Sequence, residues 1–433
     1  MFTYQSQKWV ISCLLFFLTL GVFAQNKILH CGHVLDGKTK NIQKELSITI
    51  EGNKITSISK GYIEPKDGDT EVIDLKNHYV MPGFIDMHVH IEGEYNKSSY
   101  TERFTLNEAD KAFESVSNAE KTLMAGFTTV RDLGGTGVNI ALGKAVKKGT
   151  IIGPRIYSVG KALAITGGHA DPTNGYGKHL LCHMPGPEAG VCDGIDECMK
   201  AVRQQVKNGA DWIKITATAG VLSVAKDGDG PQFTEEEIKA IVQTGKDRGV
   251  KVAAHAHGVE GMQRAIRAGV ATIEHGSYMD AETMDLMKKH DTYYVPTITA
   301  GRAVADSAKI EGYYPDIITP KALAIGPAIQ GTFGKAYKAG VNIAFGTDAG
   351  VFPHGRNALE FEYMVEAGMP AMETIIAATS VNAMLLEEDL LGSIEEGKLA
   401  DIVASKGNPV EDITTLQDIR FVMKDGVVYK LVL

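Results

Sequence analysis

The chain has 433 residues, 44% of them hydrophobic, which allows a large core and one big domain with an appendage. A formal net charge of -9 and the lack of a basic stripe argue against a nucleic-acid binder. The 47 glycines are spread along the chain, as many short strand–helix turns require, and do not form a flexible linker.

Residues 1–24 read as a targeting segment. Lys8 supplies a positive charge, and Val10 to Phe23 is apolar apart from Ser12, Cys13, Thr19 and Gly21. Val22 and Ala24 place small residues before a cleavage site at Gln25. The competing reading is an uncleaved anchor, but the apolar run is short against the roughly 20 residues a span needs. The expectation is a periplasmic or secreted protein with no stable membrane anchor after cleavage. An oxidising compartment makes a Cys182–Cys192 bridge an option beside free thiols.

Residues 27–81 hold short alternating segments with a hairpin turn at Glu51-Gly52-Asn53-Lys54. Pro82 and Gly83 then mark the entry of a short buried strand that includes Val80, Phe84, Ile85 and Met87. His88 and His90 stand at its end. On an extended chain residues i and i+2 share a side, so the two imidazoles converge on one point, which suits a divalent metal.

From Gly83 to about Leu391 strands and amphipathic helices alternate. Expected strands are Phe84–Met87, Thr128–Arg131, Arg155–Val159, Trp212–Thr216, Lys251–Ala254, Thr272–Glu274, Tyr293–Pro296 and Asn342–Phe345. Expected helices include Glu108–Met124, Ile195–Lys207, Thr234–Arg248, Val259–Ala268 and Ala281–Lys289. Thr234 and Glu237 form a capping box. Eight such units predict an α/β fold with a (β/α)8 TIM-like barrel over 83–391. An open doubly wound sheet competes, but no glycine-rich nucleotide turn follows the first strand. Residues 392–433 return to strands, with a turn at Lys424-Asp425-Gly426-Val427. Residues 25–82 and 392–433 are expected to pair into a small composite β-sandwich domain.

The ends of these strands carry further candidate ligands. Lys214 lies in the apolar Asp211-Trp212-Ile213-Lys214-Ile215. It is either a structural salt bridge or a lysine carboxylated by CO2 to bridge two metals, since burial lowers the ammonium pKa. His255, His275 and Asp348 end later strands. Active sites of such barrels lie at the C-terminal strand ends, where His88, His90, Lys214, His255, His275 and Asp348 all fall.

Six stretches carry a family resemblance. They are Pro82-Gly83-Phe84-Ile85-Asp86-Met87-His88-Val89-His90, Ile213-Lys214, Ala254-His255-Ala256-His257-Gly258, Ile273-Glu274-His275-Gly276, Gly346-Thr347-Asp348-Ala349, and the tail from Gly392 to Val403. With them the chain resembles the amidohydrolase superfamily, in detail its Xaa-Pro dipeptidase (prolidase-like) branch, near the imidazolonepropionases. The resemblance implies two Zn2+ or other divalent ions, with His88, His90 and Asp348 on the first and His255 and His275 on the second. Carboxylated Lys214 and a hydroxide would bridge them. It implies hydrolysis of a dipeptide or N-acyl amino acid of Xaa-Pro or Xaa-Arg/Lys type, with Asp348 as base and then acid. It also implies that His169 and His257 grip the substrate carboxylate, although some members carry Tyr at the position of His257.

Further side chains are candidates at or near the pocket. Tyr293 or Tyr294 could donate to the scissile carbonyl or simply pack. His354 could line the pocket, and Arg131 with Asp132 could be a structural ion pair. Asp227 and Asp229 could form an acidic lip. The partner expected is the small-molecule substrate, with a homo-oligomer left open. The alternatives are hydrolysis of a cyclic amide, such as an imidazolone or lactam, and a non-catalytic periplasmic binding protein.

Overall fold

The computed structural model describes residues 26–181, 183–226 and 228–432. The expected leader 1–24, Cys182 of the expected bridge, and Asp227 lie outside the described residues. Cys192 is a buried free thiol that hydrogen-bonds Cys198.

The strands are β1 (Lys27–Leu35), β2 (Ile42–Glu51), β3 (Lys54–Lys60), β4 (Glu71–Pro82), β5 (Phe84–Val89), β6 (Phe127–Asp132), β7 (Arg155–Ser158), β8 (Ile213–Thr216), β9 (Val252–Ala256), β10 (Thr272–His275), β11 (Tyr293–Val295), β12 (Ile402–Ser405), β13 (Ile419–Lys424) and β14 (Val427–Leu431). The helices are α1 (Ser99–Glu102), α2 (Glu108–Met124), α3 (Val138–Lys147), α4 (Gly194–Asn208), α5 (Glu235–Asp247), α6 (Val259–Ala268), α7 (Ala281–Lys289), α8 (Ile298–Ser307), α9 (Thr319–Lys338), α10 (Leu359–Glu366), α11 (Ala371–Ile376) and α12 (Asn382–Leu386). Among the described residues no helix is long and apolar enough to cross a membrane.

Strands β5–β6–β7 form one parallel sheet and β8–β9–β10–β11 a second. Every residue of β5, β6, β8, β9 and β10 is buried, polar ones included, because both faces of these sheets are covered. Isolated parallel bridges link Leu163 with Ile215, Tyr294 with Ile343, and Val89 with Ala349. Met87 N–H donates to Phe345 O at 3.0 Å, and Asp348 N–H to His88 O at 2.7 Å. The eighth expected strand, Asn342–Phe345, is therefore only a bridged segment. Its hydrogen bonds go to two different neighbours, too few on either side to make a ladder. Phe84, Phe127, Phe345 and Phe361 pack ring to ring beneath the parallel strands, at centroid distances of 4.4 to 6.3 Å.

The terminal segments join in a single seven-stranded sheet, ordered β14-β13-β12-β4-β1-β2-β3. The ladders thus describe one mixed sheet, where a two-sheet sandwich was expected. Strand β4 is longer than the pattern suggested. It runs to Pro82, so Val80 belongs to it and not to β5, and Gly83 divides the two. The turn between β13 and β14 places Asp425 and Gly426 at φ 49° and 73°, the twist that a two-residue hairpin needs. Arg155 on β7 ties the sheets together through Asp401 (2.9 Å) and Asp425 (2.8 Å). The capping box on α5 is present: Glu237 N–H donates to Thr234 Oγ1 at 3.2 Å, and Thr234 N–H to Glu237 Oε2 at 2.8 Å.

Candidate active site

The six candidate ligands meet at one end of the parallel strands and line one cavity of about 750 Å³, its open mouth included. That size suits a small-molecule substrate. His88, His90 and Asp348 each offer an atom within 4.8 Å of the others. Asp348 Oδ1 lies 3.5 Å from Nε2 of His88 and 3.5 Å from Nε2 of His90. Nε2 of His88 and Oδ1 of Asp348 are buried and have no hydrogen-bond partner. Two orphaned polar atoms facing one another would carry a desolvation cost unless something sat between them. A divalent cation fits that donor set of two imidazoles and a carboxylate.

The local chain explains the placement. Asp86 is fully buried on β5 and accepts from His88 N–H (3.0 Å), Thr347 N–H (3.1 Å), Thr347 Oγ1 (2.7 Å) and Asn357 Nδ2 (2.8 Å). It therefore pins the segment that presents Asp348 beside the strand that presents His88. Asp348, His275 and Thr297 all take left-handed φ, at 61°, 70° and 52°. Such strain in non-glycine residues concentrates where geometry is imposed by function.

A hydrogen bond at Nδ1 fixes the rings of His88, His90 and His275. His88 Nδ1 donates to Glu274 Oε2 at 2.9 Å, and Arg131 holds the other carboxylate oxygen at 2.9 Å. His90 Nδ1 donates to Gly134 O at 2.7 Å, and His275 Nδ1 is joined to Thr297 Oγ1 at 2.7 Å. In all three the Nε2 atom is left to face the cavity. His255 lies 4.7 Å from His275, ring centre to centre, but its Nε2 is 3.2 Å from Ala219 O.

Burial dominates the electrostatics. It pushes His88, His255 and His275 well below the ordinary imidazole range and lowers His90 to about 4. Neutral imidazole is the form that ligates metal. Lys214, 4% exposed, has its ammonium pKa lowered by burial, against the opposing pull of Glu274 and Asp348. Burial raises Asp348, although Lys214 pulls it down.

The remaining candidates divide. His169 and His257 line the cavity, and burial lowers them to about 4 and about 3. His169 stacks on His255 at 4.4 Å, with Nδ1 2.5 Å from Ser223 Oγ; His257 Nδ1 is 2.8 Å from Ser277 Oγ.

Tyr294 and His354 do not line the cavity. The Tyr294 hydroxyl donates to His275 O at 2.8 Å, so it supports His275 and has no proton left for a substrate. His354 sits behind His90, its Nε2 3.2 Å from His90 O and 3.3 Å from Gly93 O. Arg131 pairs with Glu274 and not with Asp132, which instead accepts from Ile91 N–H and Asn139 Nδ2. A strand sends neighbouring side chains to opposite faces, so Arg131 and Asp132 could not both point inward.

Sequence reasoning passed over Glu274, Thr297 and Asp86. A carboxylate inside a short strand, directly before the candidate ligand His275 in Thr-Ile-Glu-His, was the available signal for Glu274. Thr297 had none, because its role depends on an αL turn after β11.

The amidohydrolase family model matches residues 79–433. Ochratoxinase of Aspergillus niger is 36% identical over 382 residues, covering 81% of this chain and 75% of that protein. Imidazolonepropionase of Streptomyces griseus subsp. griseus is 22% identical over 383 residues, covering 85% and 87%. The crystal structure of a Xaa-Pro dipeptidase with bound methionine in the active site superimposes with a TM-score of 0.91 at 52% identity. That alignment covers 94% of this chain and 100% of the other.

Proposed function

The chain belongs to the amidohydrolase family of hydrolases, and we propose that it cleaves the amide bond of dipeptides or N-acyl amino acids, of Xaa-Pro or Xaa-Arg/Lys type. The observation that carries this reading is the convergence of His88, His90 and Asp348, with two buried polar atoms unpartnered between them. The dipeptidase likeness at 52% identity supports the same substrate class. In this reading residues 83–391 are a closed (β/α)8 barrel, and 25–82 with 392–433 are one composite β-domain. The leader 1–24 directs the chain to the periplasm or outside.

His88, His90 and Asp348 would hold one zinc, and His255 and His275 a second, with carboxylated Lys214 between. When bound, such ions polarise a carbonyl and bring the pKa of water toward neutrality. The chain's own residues do the rest. His169 and His257 bind the substrate carboxylate. In the tautomer whose Nδ1 accepts from Ser223 or Ser277, Nε2–H is the donor that an anion needs. Asp348 takes the proton of the attacking water and returns it to the leaving nitrogen, acting as base and then acid. Glu274, Thr297 and Asp86 keep the ligand atoms in place while this happens.

The test is release of free amino acid from a library of dipeptides and N-acyl amino acids, by protein purified with zinc and bicarbonate. Selective release together with two metals per chain supports the proposal. Silence from metal-loaded protein overturns it and moves the weight to cyclic amides. Asp348→Asn is expected to lower kcat by about 10²- to 10⁴-fold, well beyond any loss of metal measured on the same sample. Normal turnover in that variant would remove the assigned role.

A further inference from the structure

The cavity has two unlike sides. His169 and His257, from segments that follow β7 and β9, make one of them polar. The other is aliphatic: Ala300 and Val304 from α8, Ile325 and Ile329 from α9, with Val221 and Val351 beside them. All six are buried or nearly so, and none brings a polar side-chain atom. Val221, Val304 and Ile325 continue outward into a separate apolar cluster with Tyr314 and Ile318.

This wall is built to be rigid. A Cβ on Gly301 would lie 2.6 Å from Ile329 Cγ2, and one on Gly326 would lie 2.9 Å from Ala305 Cβ. Two glycines thus let α8 and α9 pack at a separation that larger residues would forbid. The N-terminus of α8 is held in turn by Glu360, which accepts from Ile298 N–H and Thr299 N–H at 2.8 Å each.

Charge is equally one-sided. Among the described residues that line the cavity, Asp348 is the only carboxylate, and it stands against the imidazoles. The ammonium of Lys321 on α9 donates to the carbonyls of Gly220 (3.4 Å), Ser223 (2.9 Å) and Ala225 (2.7 Å), on the segment that carries Val221 into the cavity lining. A cationic side chain on this wall would be buried with no carboxylate beside it among the described lining residues. An anionic one would be stripped of water against aliphatic carbon. Both are costly.

We infer that α8 and α9 form the pocket for the acyl half of the substrate, and that it selects an uncharged aliphatic or thioether side chain. This rests on the amide-hydrolysis reading above. With the leaving residue's carboxylate on His169 and His257, the acyl half is left facing Ala300, Val304, Ile325 and Ile329.

The experiment compares kcat/KM for Xaa-Pro dipeptides differing only in Xaa: Leu, Met, norleucine, Gly, Asp and Lys, with zinc-loaded enzyme. Leu, Met and norleucine are expected to exceed Asp and Lys by at least about 30-fold, the scale of burying one such side chain. Calorimetric titration with free norleucine and free lysine gives a second readout and should rank them in the same order. Ala300→Leu fills the pocket and should cut the Leu-to-Gly ratio at least tenfold. Ile329→Ala widens it and should cut the same ratio less while favouring bulkier side chains. Hydrolysis with charged residues preferred, or with no discrimination, overturns the inference and leaves amide hydrolysis standing. No hydrolysis of any member, by metal-loaded protein that is also silent on Xaa-Arg, Xaa-Lys and N-acyl amino acids, overturns both.

Discussion

The rings of His88, His90 and His275 are each aimed by a hydrogen bond at Nδ1, to Glu274, to Gly134 O and to Thr297. Thr297 Oγ1 fixes the ring of His275 at 2.7 Å. Thr297→Val keeps the branched shape and the left-handed backbone while removing that bond. It is expected to weaken zinc affinity or activity by about 10- to 100-fold with little change in folding, as read by competition with a chelating dye. Glu274 is different in kind, because it also neutralises the fully buried Arg131. Glu274→Gln leaves an uncompensated guanidinium in the core and is expected to cost about 3–5 kcal/mol in urea denaturation. An unchanged midpoint would mean that Arg131 finds another partner.

At the level of elements, the site depends on how α8 and the segment after β8 are held. Glu360 caps α8 from inside the protein, and burial raises its pKa from 4.5 to about 8. A carboxyl group raised on folding contributes stability below its unfolded pKa, and loses it as pH rises through the folded one. The window therefore runs from about pH 4.5 to about 8. Relative to Glu360→Gln, which does not titrate, the wild type should lose up to about 1.4 kcal/mol per pH unit across that window. Chemical denaturation of both proteins at several pH values would measure it, and parallel curves would refute it. The segment after β8 approaches the cavity so closely that a Cβ on Gly220 would fall 2.2 Å from the His169 ring. Gly220→Ala must displace that ring, so KM should rise at least about tenfold with a smaller change in kcat. An unaltered KM would mean that His169 does not hold substrate.

For the whole molecule, metal and fold are expected to be linked. The candidate ligands His88, His90 and Asp348 come from the end of β5 and from a segment more than 250 residues later, so a bound ion would join parts of the chain far apart in sequence. Ligand that binds only the folded state stabilises it by mass action, about 4 kcal/mol at a thousandfold excess over Kd. Chelation should therefore lower the unfolding midpoint as well as abolish activity, and zinc should restore both. Loss of activity with no shift in midpoint would mean that the ion does not bridge these parts of the chain.

Local pattern was enough for several of these features. The boundaries of α2, α6 and α7 followed from periodicity, the start of α5 from its capping box, and the β13–β14 turn from its turn residues, all of which act within a few positions. His88, His90 and Asp348 were legible because a strand end is a local property and a metal needs imidazole and carboxylate donors. The tertiary structure decided what depends on partners distant in the chain. It sent Arg131 to Glu274 instead of Asp132, turned the Tyr294 hydroxyl onto His275 O, and placed His354 behind His90. It reduced Asn342–Phe345 to a bridged segment and joined both termini in one sheet. It also set α8 against α9, making the aliphatic wall. A side chain's chemistry is fixed by its own atoms, but its partner and its burial are fixed by residues hundreds of positions away, and no local pattern encodes those.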